Sequence, residues 1–435
     1  MSQDSEGETE TEFLVNITEF KDELEKELYE TCSFRDLFFE NHPIEMASKK
    51  NEFVEAKKNA LLEKFEAIDV DTQVPTELRA HFLYLKGRCY NLSPTYDPRA
   101  TQSLSKAVKL NPRLVAAWNE LGDCYWKNMN VKDAKASFEG ALKHERNRLS
   151  LRCLSIILRQ ESGDKTRVEA SSAVLNSVEL AKEAVAQDIK DGMSWTVLGN
   201  AYLCQFFTVA QEPATLKLCM SAYRQACLDP AAKGQPDLYY NKGIALKYEE
   251  NYAEALENFA FACELEPAWE TPREERARLV QYLANINELI RTKGKIKNKK
   301  LAQMVQSIDD SAVGPGRLQL VQLVPGRNVG TALGVVVGSI HNVNSVPFTF
   351  AIVDESMECV CVSVYNWADG RGVIIGDYVS LPNPQMREHQ FDSPLVKYNF
   401  KSIRLNNPMS ITVNGKRVGR DQYAGTKATS TYELK

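Results

Sequence analysis

The chain has 435 residues, of which 43% are hydrophobic and 26% are charged, and its formal net charge is −5. This length predicts two or three domains, and the composition is ordinary for a soluble globular protein. The acidic balance argues against a protein that binds nucleic acid over its whole surface. No apolar run approaches the roughly eighteen residues that a membrane helix needs, so we expect no signal peptide and no membrane contact.

The N-terminal part of the chain predicts helices after a polar start. Residues 1–12 are rich in Glu, Asp, Ser and Thr, and we expect them to be disordered. Apolar residues then recur at helical spacing over 13–41 and 46–68. We assign 13–75 to helices that cap the N-terminal end of the next domain.

A pattern of large and small residues at fixed spacing follows. Its clearest copy consists of Trp118, Leu121, Gly122, Tyr125, Ala134, Phe138 and Ala141. The large residues share one helix face, while Gly122 and the alanines leave room for a partner helix. This spacing resembles the tetratricopeptide (TPR) repeat, a hairpin of two antiparallel helices.

Further copies of the repeat open around Gly87, Gly199 and Gly243, and Ala181 and Ala184 suggest a divergent unit within 149–190. A single hairpin cannot bury its apolar face, so several must stack. We therefore predict a TPR superhelix over 76–292 that ends in a capping helix.

The character of the sequence changes after this helix. Six of the ten residues in 291–300 are Lys or Arg. We assign 293–315 to a basic linker, for which a solvated linker, a nuclear-import signal and a phosphate-contact surface all remain open.

From residue 316 the apolar period is two. Apolar runs predict strands at 318–324, 333–340, 348–353, 359–365, 373–381, 400–405 and 410–413. Without a clear helix among them, these strands predict an OB-type barrel over 316–415, followed by a flexible tail at 416–435. The predicted fold class is multidomain, a TPR α-solenoid followed by a C-terminal OB-fold β-barrel.

The residues that usually carry catalysis or hold metals are scattered. Ten cysteines occur in the chain, and Cys359 and Cys361 share a strand face without a matching His/Cys pair. Buried thiols in a reducing compartment, cytoplasm or nucleus, explain them best. The five histidines stand apart from any nucleophile. We expect no enzyme, no catalytic residue, no metal and no cofactor.

The concave side of the superhelix is the better candidate for function. Residues beside the packing face of each first helix would line it, and those we select are Asn119, Asp123, Asn200, Tyr240 and Lys247. Such a polar and aromatic lining suits an extended peptide, because Asn side chains can clamp its backbone.

The barrel offers a second possibility, since OB-folds bind single-stranded nucleic acid by aromatic stacking. Phe348, Phe350, Tyr365 and Trp367 are available for stacking, or they form the barrel core.

The whole order of parts resembles the Strap family of TPR/OB-fold proteins. The segments that carry the resemblance are 146–151 (RNRLSL), 236–243 (PDLYYNKG), 293–300 (KGKIKNKK), 347–350 (PFTF) and 372–377 (GVIIGD). It implies an adaptor for tubulin autoregulation that binds the N-terminal Met-Arg-Glu peptide of nascent tubulins at the ribosome. Tubulin mRNA decay machinery would then be recruited through a further adaptor.

The same family implies an alternative function. This is a nuclear transcription co-activator scaffold in the stress and DNA damage response, which joins acetyltransferase and transcription-factor complexes while its OB-fold contacts chromatin or DNA.

The resemblance also implies roles for single residues. Arg146 and Asp237 would pair with the glutamate and arginine of the peptide, although Arg146 alone also fits a solvated turn residue. The family places an acidic groove residue where this chain has Thr271, and whether the neighbouring Glu270 replaces it stays open. The implied ribosome-binding residues are Lys295, Lys297, Lys299 and Lys300.

Overall fold

The computed structural model describes residues 4–161, 166–308, 316–340, 347–368, 370–392 and 397–424. Contacts divide the chain into two units. Among the described residues, the first comprises 4–249 and 257–272, and the second comprises 250–256 and 273–424. Within the described ranges, no helix combines the length and the apolar character needed to cross a membrane.

Seventeen α-helices occur in the described residues. They are α1 Asp4–Asp36, α2 Phe38–Asn41, α3 Lys50–Glu66, α4 Val70–Gln73, α5 Thr76–Tyr90, α6 Pro98–Leu110, α7 Val115–Lys127, α8 Val131–His144, α9 Arg148–Gln160, α10 Arg167–Gln187, α11 Gly192–Thr208, α12 Pro213–Ala226, α13 Pro230–Lys233, α14 Pro236–Tyr248, α15 Tyr252–Leu265, α16 Glu270–Thr292 and α17 Asn298–Gln306.

Helix α1 begins earlier than the sequence analysis expects. Residues 4–12 are helical, whereas they were assigned to a disordered segment; residues 1–3 lie outside the described part of the chain.

The helical hairpins of the first unit pack through one recurring contact. A carbon added at Gly122 would lie 2.6 Å from the Phe138 ring, and one at Gly243 would lie 2.6 Å from the Phe259 ring. The same contact recurs at Gly87 against Leu104 and at Gly199 against Tyr223. Only glycine lets the second helix approach this closely, which confirms the predicted repeat.

The divergent unit within 149–190 is also a hairpin. Helices α9 and α10 form it, and Ala181 and Ala184 of α10 are fully buried as small packing residues. Thr166 caps α10 with a capping box. The Glu169 backbone N–H donates to the Thr166 hydroxyl oxygen, and the Thr166 backbone N–H donates to the Glu169 carboxylate.

Ten strands occur in the part of the second unit that the structure describes. They are β1 Arg317–Leu318, β2 Gly326–Arg327, β3 Thr331–Ile340, β4 Phe348–Val353, β5 Cys359–Val364, β6 Tyr378–Pro382, β7 Gln385–Asp392, β8 Lys397–Leu405, β9 Thr412–Val413 and β10 Lys416–Arg417.

The strands close into a barrel with OB topology. Strands β3, β4 and β5 form an antiparallel meander, and β8 pairs with β5 in parallel. Strand β6 pairs with β3, while β7 pairs with β8, so the β6–β7 segment joins the two ends of the sheet. This pairing confirms the predicted OB-fold.

Strand β7 is absent from the prediction. Its buried side chains are Met386 and His389, which are three residues apart rather than two. This strand therefore lacks the alternation of buried and exposed residues that predicts a strand. Its backbone pairing with β8 identifies it in the structure.

Both segments that flank the barrel are more ordered than predicted. A tight turn at Lys293–Lys295 and helix α17 occupy the supposed linker, of which 309–315 lie outside the described residues. Beyond residue 415, β10 pairs with β9, and Tyr423 forms a bridge with Trp367. Residues 416–424 thus belong to the barrel, while 425–435 of the expected tail are not among the described residues.

The C-terminal part of α16 packs on the barrel within the second unit. The Tyr282 hydroxyl lies 2.8 Å from the Thr349 hydroxyl of β4, and both are buried. A carbon added at Gly338 of β3 would lie 2.7 Å from Leu289. Strands β4 and β5 are consequently buried on both faces along most of their length.

Candidate peptide-binding surface and basic segment

Arg146 lies just before α9 and forms an exposed ion pair. Its Nε donates to Oε1 of Glu183 at 2.8 Å, and its terminal nitrogen also pairs with Oε2. The hydrogen bond to Glu183 raises the pKa of the guanidinium above its ordinary value. The pair is therefore bidentate, with a planar donor fork that matches a carboxylate.

Glu183 borders a shallow cavity of about 600 Å³ on the surface of α10. Its other lining residues are Asn176, Glu179, Leu180, Lys182 and Ala186. Apolar and charged side chains thus adjoin the Arg146–Glu183 pair, a mixture that can contact both the side chains and the backbone of a peptide.

Two further arginines of α9 extend this charged surface. Arg148 donates to Asp188 at 2.5 Å, and Arg152 donates to Asp191 at 2.8 Å. The spacing of four residues between Arg148 and Arg152 places them on one helix face. This row of arginines was not predicted, although the four-residue spacing of Arg148 and Arg152 could have indicated it.

Asn119 and Asp123 of α7 are engaged within the fold. Nδ2 of Asn119 donates to Asn147 at 3.1 Å, and its Oδ1 accepts a 2.5 Å bond from Ser150. Asp123 accepts from Lys127 at 3.0 Å. The Asn119 amide, which is 8% exposed, joins α7 to the start of α9 and does not serve as the expected clamp for a peptide backbone.

Asn200 and Tyr240 are core residues rather than groove residues. Asn200 is fully buried, and its Oδ1 accepts a 2.8 Å bond from the Tyr223 hydroxyl. Tyr240 is 6% exposed, with its ring centroid 5.1 Å from that of Trp269. Both expectations are corrected by packing, because Tyr223 of α12 covers Asn200, while Phe259 of α15 and Trp269, just before α16, cover Tyr240.

The acidic candidates lie in the first turns of helices. Asp237 is half-buried in the first turn of α14, and Glu270 is exposed in the first turn of α16. Lys247 is half-buried in the last turn of α14, and Thr271 is half-buried beside Glu270. Of the predicted peptide contacts, Asp123, Arg146, Asp237, Lys247 and Glu270 thus reach solvent.

Four lysines of the basic segment are exposed. They are Lys295, Lys297, Lys299 and Lys300. None of them forms an ion pair with a residue in the described ranges, whereas the neighbouring Arg291 pairs with Glu288 at 2.7 Å. Lys297 is the N-cap of α17 and forms no capping bond. The positive charge of Lys297 lies at the N-terminal end of α17, which is also the positive end of the helix dipole. An anion bound here would be stabilised by the lysine charge and by the dipole.

The barrel aromatics do not form a stacking platform. Phe350 is fully buried, and Tyr365 and Trp367 are 1% and 6% exposed. Phe348 is half-buried with its ring 5.2 Å from that of Trp367. The structure therefore favours the second of the two interpretations, in which these residues form the core.

Comparison with known proteins decides the family. The model of the tetratricopeptide repeat protein 5 OB fold domain matches residues 316–427. Tetratricopeptide repeat protein 5 of Homo sapiens is 41% identical over 420 residues, which cover 92% of this chain and 94% of the human protein. The chain belongs to the tetratricopeptide repeat protein 5 family.

A further relative and one solved structure are also similar to this chain. Tetratricopeptide repeat protein 5 of Bos taurus is 40% identical over 442 residues, covering 97% of this chain and 98% of the bovine protein. A solved structure, that of YrrB, a TPR protein with an unusual peptide-binding site, is 20% identical. It covers 50% of this chain and 99% of its own, with a TM-score of 0.33.

This member of the tetratricopeptide repeat protein 5 family also carries a buried ionic cluster in its second unit. Glu250 accepts a 3.1 Å bond from the Tyr365 hydroxyl, and its Oε1 lies 3.4 Å from Arg404. Oε2 lies 3.6 Å from Arg387, and the Arg404 guanidinium stacks 3.9 Å above the Tyr365 ring. Burial raises the pKa of Glu250, while Arg404 and Arg387 lower it.

The cysteines of the family member are free thiols. Cys359 and Cys361 are buried in β5, and burial raises the pKa of Cys359 to about 12. Among the described residues, no group of His, Cys, Asp and Glu side chains is placed to hold a metal ion. The family and the TPR fold indicate a repeat adaptor.

Proposed function

We propose that this chain is a non-enzymatic adaptor whose TPR surface binds the N-terminal Met-Arg-Glu peptide of nascent tubulin at the ribosome. The observation that carries the proposal is the exposed, bidentate Arg146–Glu183 pair. It shows a carboxylate-binding geometry that is already formed at the residue to which the family resemblance assigns the peptide's glutamate.

Exchange of Glu183 for a peptide glutamate is energetically easy. An exposed ion pair contributes about 0–1 kcal/mol, because water solvates both charges when they separate. The side chains of Arg146 and Glu183 are 53% and 36% exposed. A peptide carboxylate can therefore take the place of Glu183, and the peptide's arginine would meet Asp237 and Glu270.

The basic segment supplies the second contact in this proposal. Its four exposed lysines would bind ribosomal phosphates with a salt-sensitive affinity that is independent of sequence. The two contacts would hold the adaptor on a ribosome that presents a tubulin N terminus. Recruitment of mRNA decay machinery through a further adaptor would follow in the cytoplasm.

The nuclear co-activator remains the alternative, and the basic segment would then serve as an import signal. Contact of the OB-fold with chromatin or DNA through stacked bases finds less support, since Phe348, Phe350, Tyr365 and Trp367 pack into the barrel core. A scaffold that binds acetyltransferase and transcription-factor complexes would use the same TPR surface.

The proposal is tested with two immobilised peptides. Met-Arg-Glu-Ile should retain the purified full-length protein, and Met-Ala-Ala-Ile should not. Equal retention on both would remove the nascent-tubulin function.

The ribosome contact is tested independently. The double variant Lys297→Glu and Lys299→Glu should fail to co-sediment with ribosomes at physiological salt, yet it should still bind Met-Arg-Glu-Ile, because neither lysine belongs to a repeat. Normal co-sedimentation of this variant would leave the segment as an import signal or a linker.

A further inference from the structure

The basic segment begins with a strained turn. Lys293, Gly294 and Lys295 have φ angles of 48°, 65° and 59°, so three consecutive residues adopt the left-handed conformation. For a lysine this conformation is unfavourable because its Cβ crowds the following carbonyl oxygen, and it persists only where surrounding contacts impose it. A solvated linker has no such contacts, so the strain points to a fixed position.

The contact that imposes the turn is with strand β3. A carbon added at Gly294 would lie 1.9 Å from the Val337 carbonyl oxygen and 2.8 Å from its carbon. A backbone carbonyl cannot move aside like a flexible side chain. Glycine is therefore required here twice, for the positive φ and for the close approach to the barrel.

Two further contacts hold the segment on both sides of this glycine. The Lys293 ammonium donates to the Met357 carbonyl oxygen at 2.9 Å, across the turn between β4 and β5. Leu301 of α17 is fully buried, and α17 contacts β3. The exposed lysines thus lie between anchors on the barrel and do not hang from a free chain.

We propose that Gly294 and Lys293 are positioning residues, which fix Lys295, Lys297, Lys299 and Lys300 on the barrel as one preorganised surface for the phosphates of a folded RNA. This inference rests on the proposed ribosome contact and gives the OB-fold a role in it, as the support of the lysines. Fixing side chains before association lowers the entropy lost on binding. A nuclear-import signal read as an extended segment gains nothing from such a support.

The test uses variants that leave all four exposed lysines in place. Gly294→Ala adds one methyl group that collides with β3. Gly370→Ala is the matched control, because Gly370 has a φ of +71° and no atom within 4 Å of an added carbon. Both variants carry the same backbone strain, and only the first displaces the turn. Thermal unfolding of each full-length variant reports whether its barrel remains folded.

The readout is co-sedimentation with purified ribosomes over a salt series from about 50 to 200 mM. Each phosphate contact contributes roughly 0.7–0.9 to the slope of log affinity against log salt, so four lysines give a slope of about −3. Gly294→Ala should bind at least tenfold more weakly with a shallower slope, while Gly370→Ala should match the wild-type protein.

Lys293→Met serves as the second variant, and it decides the test if Gly294→Ala does not fold. It introduces no collision and removes the bond to Met357. Loss of a single direct contact would change the slope by at most about 0.9, so a larger change indicates that the remaining lysines have lost their positions.

The outcomes separate the inference from the function on which it rests. If Lys293→Met and folded Gly294→Ala bind ribosomes like the wild-type protein while Lys297→Glu/Lys299→Glu does not, the positioning role is wrong and the ribosome contact stands. If the lysine double variant also binds normally, the ribosome contact itself is wrong.

Discussion

Two ion pairs of this molecule carry the same chemistry in opposite surroundings. Arg146 and Glu183 meet on the open surface of the first unit, where more than a third of each side chain remains exposed. Glu250 meets Arg404 inside the second unit, with 0% and 9% side-chain exposure. Water can replace the partner in the first pair but not in the second, so only the first pair can exchange partners with a ligand.

The location of Glu250 sharpens this contrast. It occupies a left-handed turn at φ 62°, and Met129 occupies the corresponding turn between the two helices of an earlier hairpin at φ 58°. Met129 is 67% exposed, whereas Glu250 is 3% exposed. The same turn therefore occurs at Met129 and at Glu250, and it holds a buried charge at Glu250. A common backbone does not imply a common role.

The largest expected effect comes from removal of the buried carboxylate. Glu250→Ala leaves Arg404 buried without its counter-charge, and the free energy of unfolding of the second unit should fall by about 3–5 kcal/mol. Chemical denaturation measures this loss. Met129→Ala, at the equivalent turn, should stay within about 0.5 kcal/mol of the wild-type protein. Equal losses of unfolding free energy in Glu250→Ala and Met129→Ala would contradict the difference between the two turns.

Burial of His389 should also make the stability of the second unit depend on pH. Burial and, to a smaller extent, the positive charge of Arg387 together lower the pKa of His389 from 6.5 to about 4. Its imidazole contacts the Ser402 hydroxyl at 2.8 Å and packs beside Tyr252 and Phe400. Between these pKa values the unfolded chain binds a proton that the folded unit does not. Stability should therefore be complete above pH 6.5 and fall as the pH drops towards 4, by up to about 3 kcal/mol.

His389→Gln isolates this effect from the many carboxylates that titrate in the same range. Glutamine keeps a polar partner for Ser402 but takes up no proton. The difference in unfolding free energy between variant and wild-type protein should change across pH 4–6.5 and stay constant above it. A difference that does not vary with pH would show that His389 takes up its proton at the same pH in the folded unit as in the unfolded chain, so that burial does not shift its pKa.

At the exposed pair the expected effects move from stability to binding. Arg146→Ala should weaken binding of Met-Arg-Glu-Ile by about 1.5–3 kcal/mol, the usual contribution of a hydrogen bond to a charged group. Its unfolding free energy should change by less than about 1 kcal/mol. Arg148→Ala, which breaks the exposed pair with Asp188, is the control and should affect peptide binding less. Unchanged binding by Arg146→Ala would contradict the assignment.

The smallest expected effect tests whether Glu183 competes with the peptide. Glu183→Gln removes the internal negative charge while keeping a hydrogen-bond acceptor for Arg146. Peptide affinity should rise by up to about 1 kcal/mol, since the exposed pair no longer has to be broken. Weaker binding in calorimetric titration would show instead that Glu183 orients Arg146 for the peptide.

The parts of the fold that the sequence predicted depend on local spacing. Gly122 and Phe138 belong to adjacent helices, so their offset along the chain reports their contact. The β3–β5 meander likewise follows from short turns and apolar runs. Strand β7 escaped prediction because its buried residues, Met386 and His389, do not alternate.

The exposure of the candidate residues was predictable where it depends on a helix end and not where it depends on packing. Arg146 and Glu270 flank helices and remain accessible. The repeat pattern predicts that Asn200 and Tyr240 face solvent. Neighbouring aromatic rings nevertheless bury both side chains. The Glu250 cluster joins residues 115 positions apart in the chain, a separation that no local pattern reports.

The central claim is that this adaptor recognises the charged pair of a Met-Arg-Glu N terminus on its TPR surface. Titration of the full-length protein with labelled Met-Arg-Glu-Ile, and with Met-Ala-Ala-Ile as the matched peptide, tests it most directly. We expect saturable binding of the first peptide, which Arg146→Ala should weaken at least tenfold, and no binding of the second. Equal affinity for both peptides, or wild-type affinity of Arg146→Ala for the first, would contradict it.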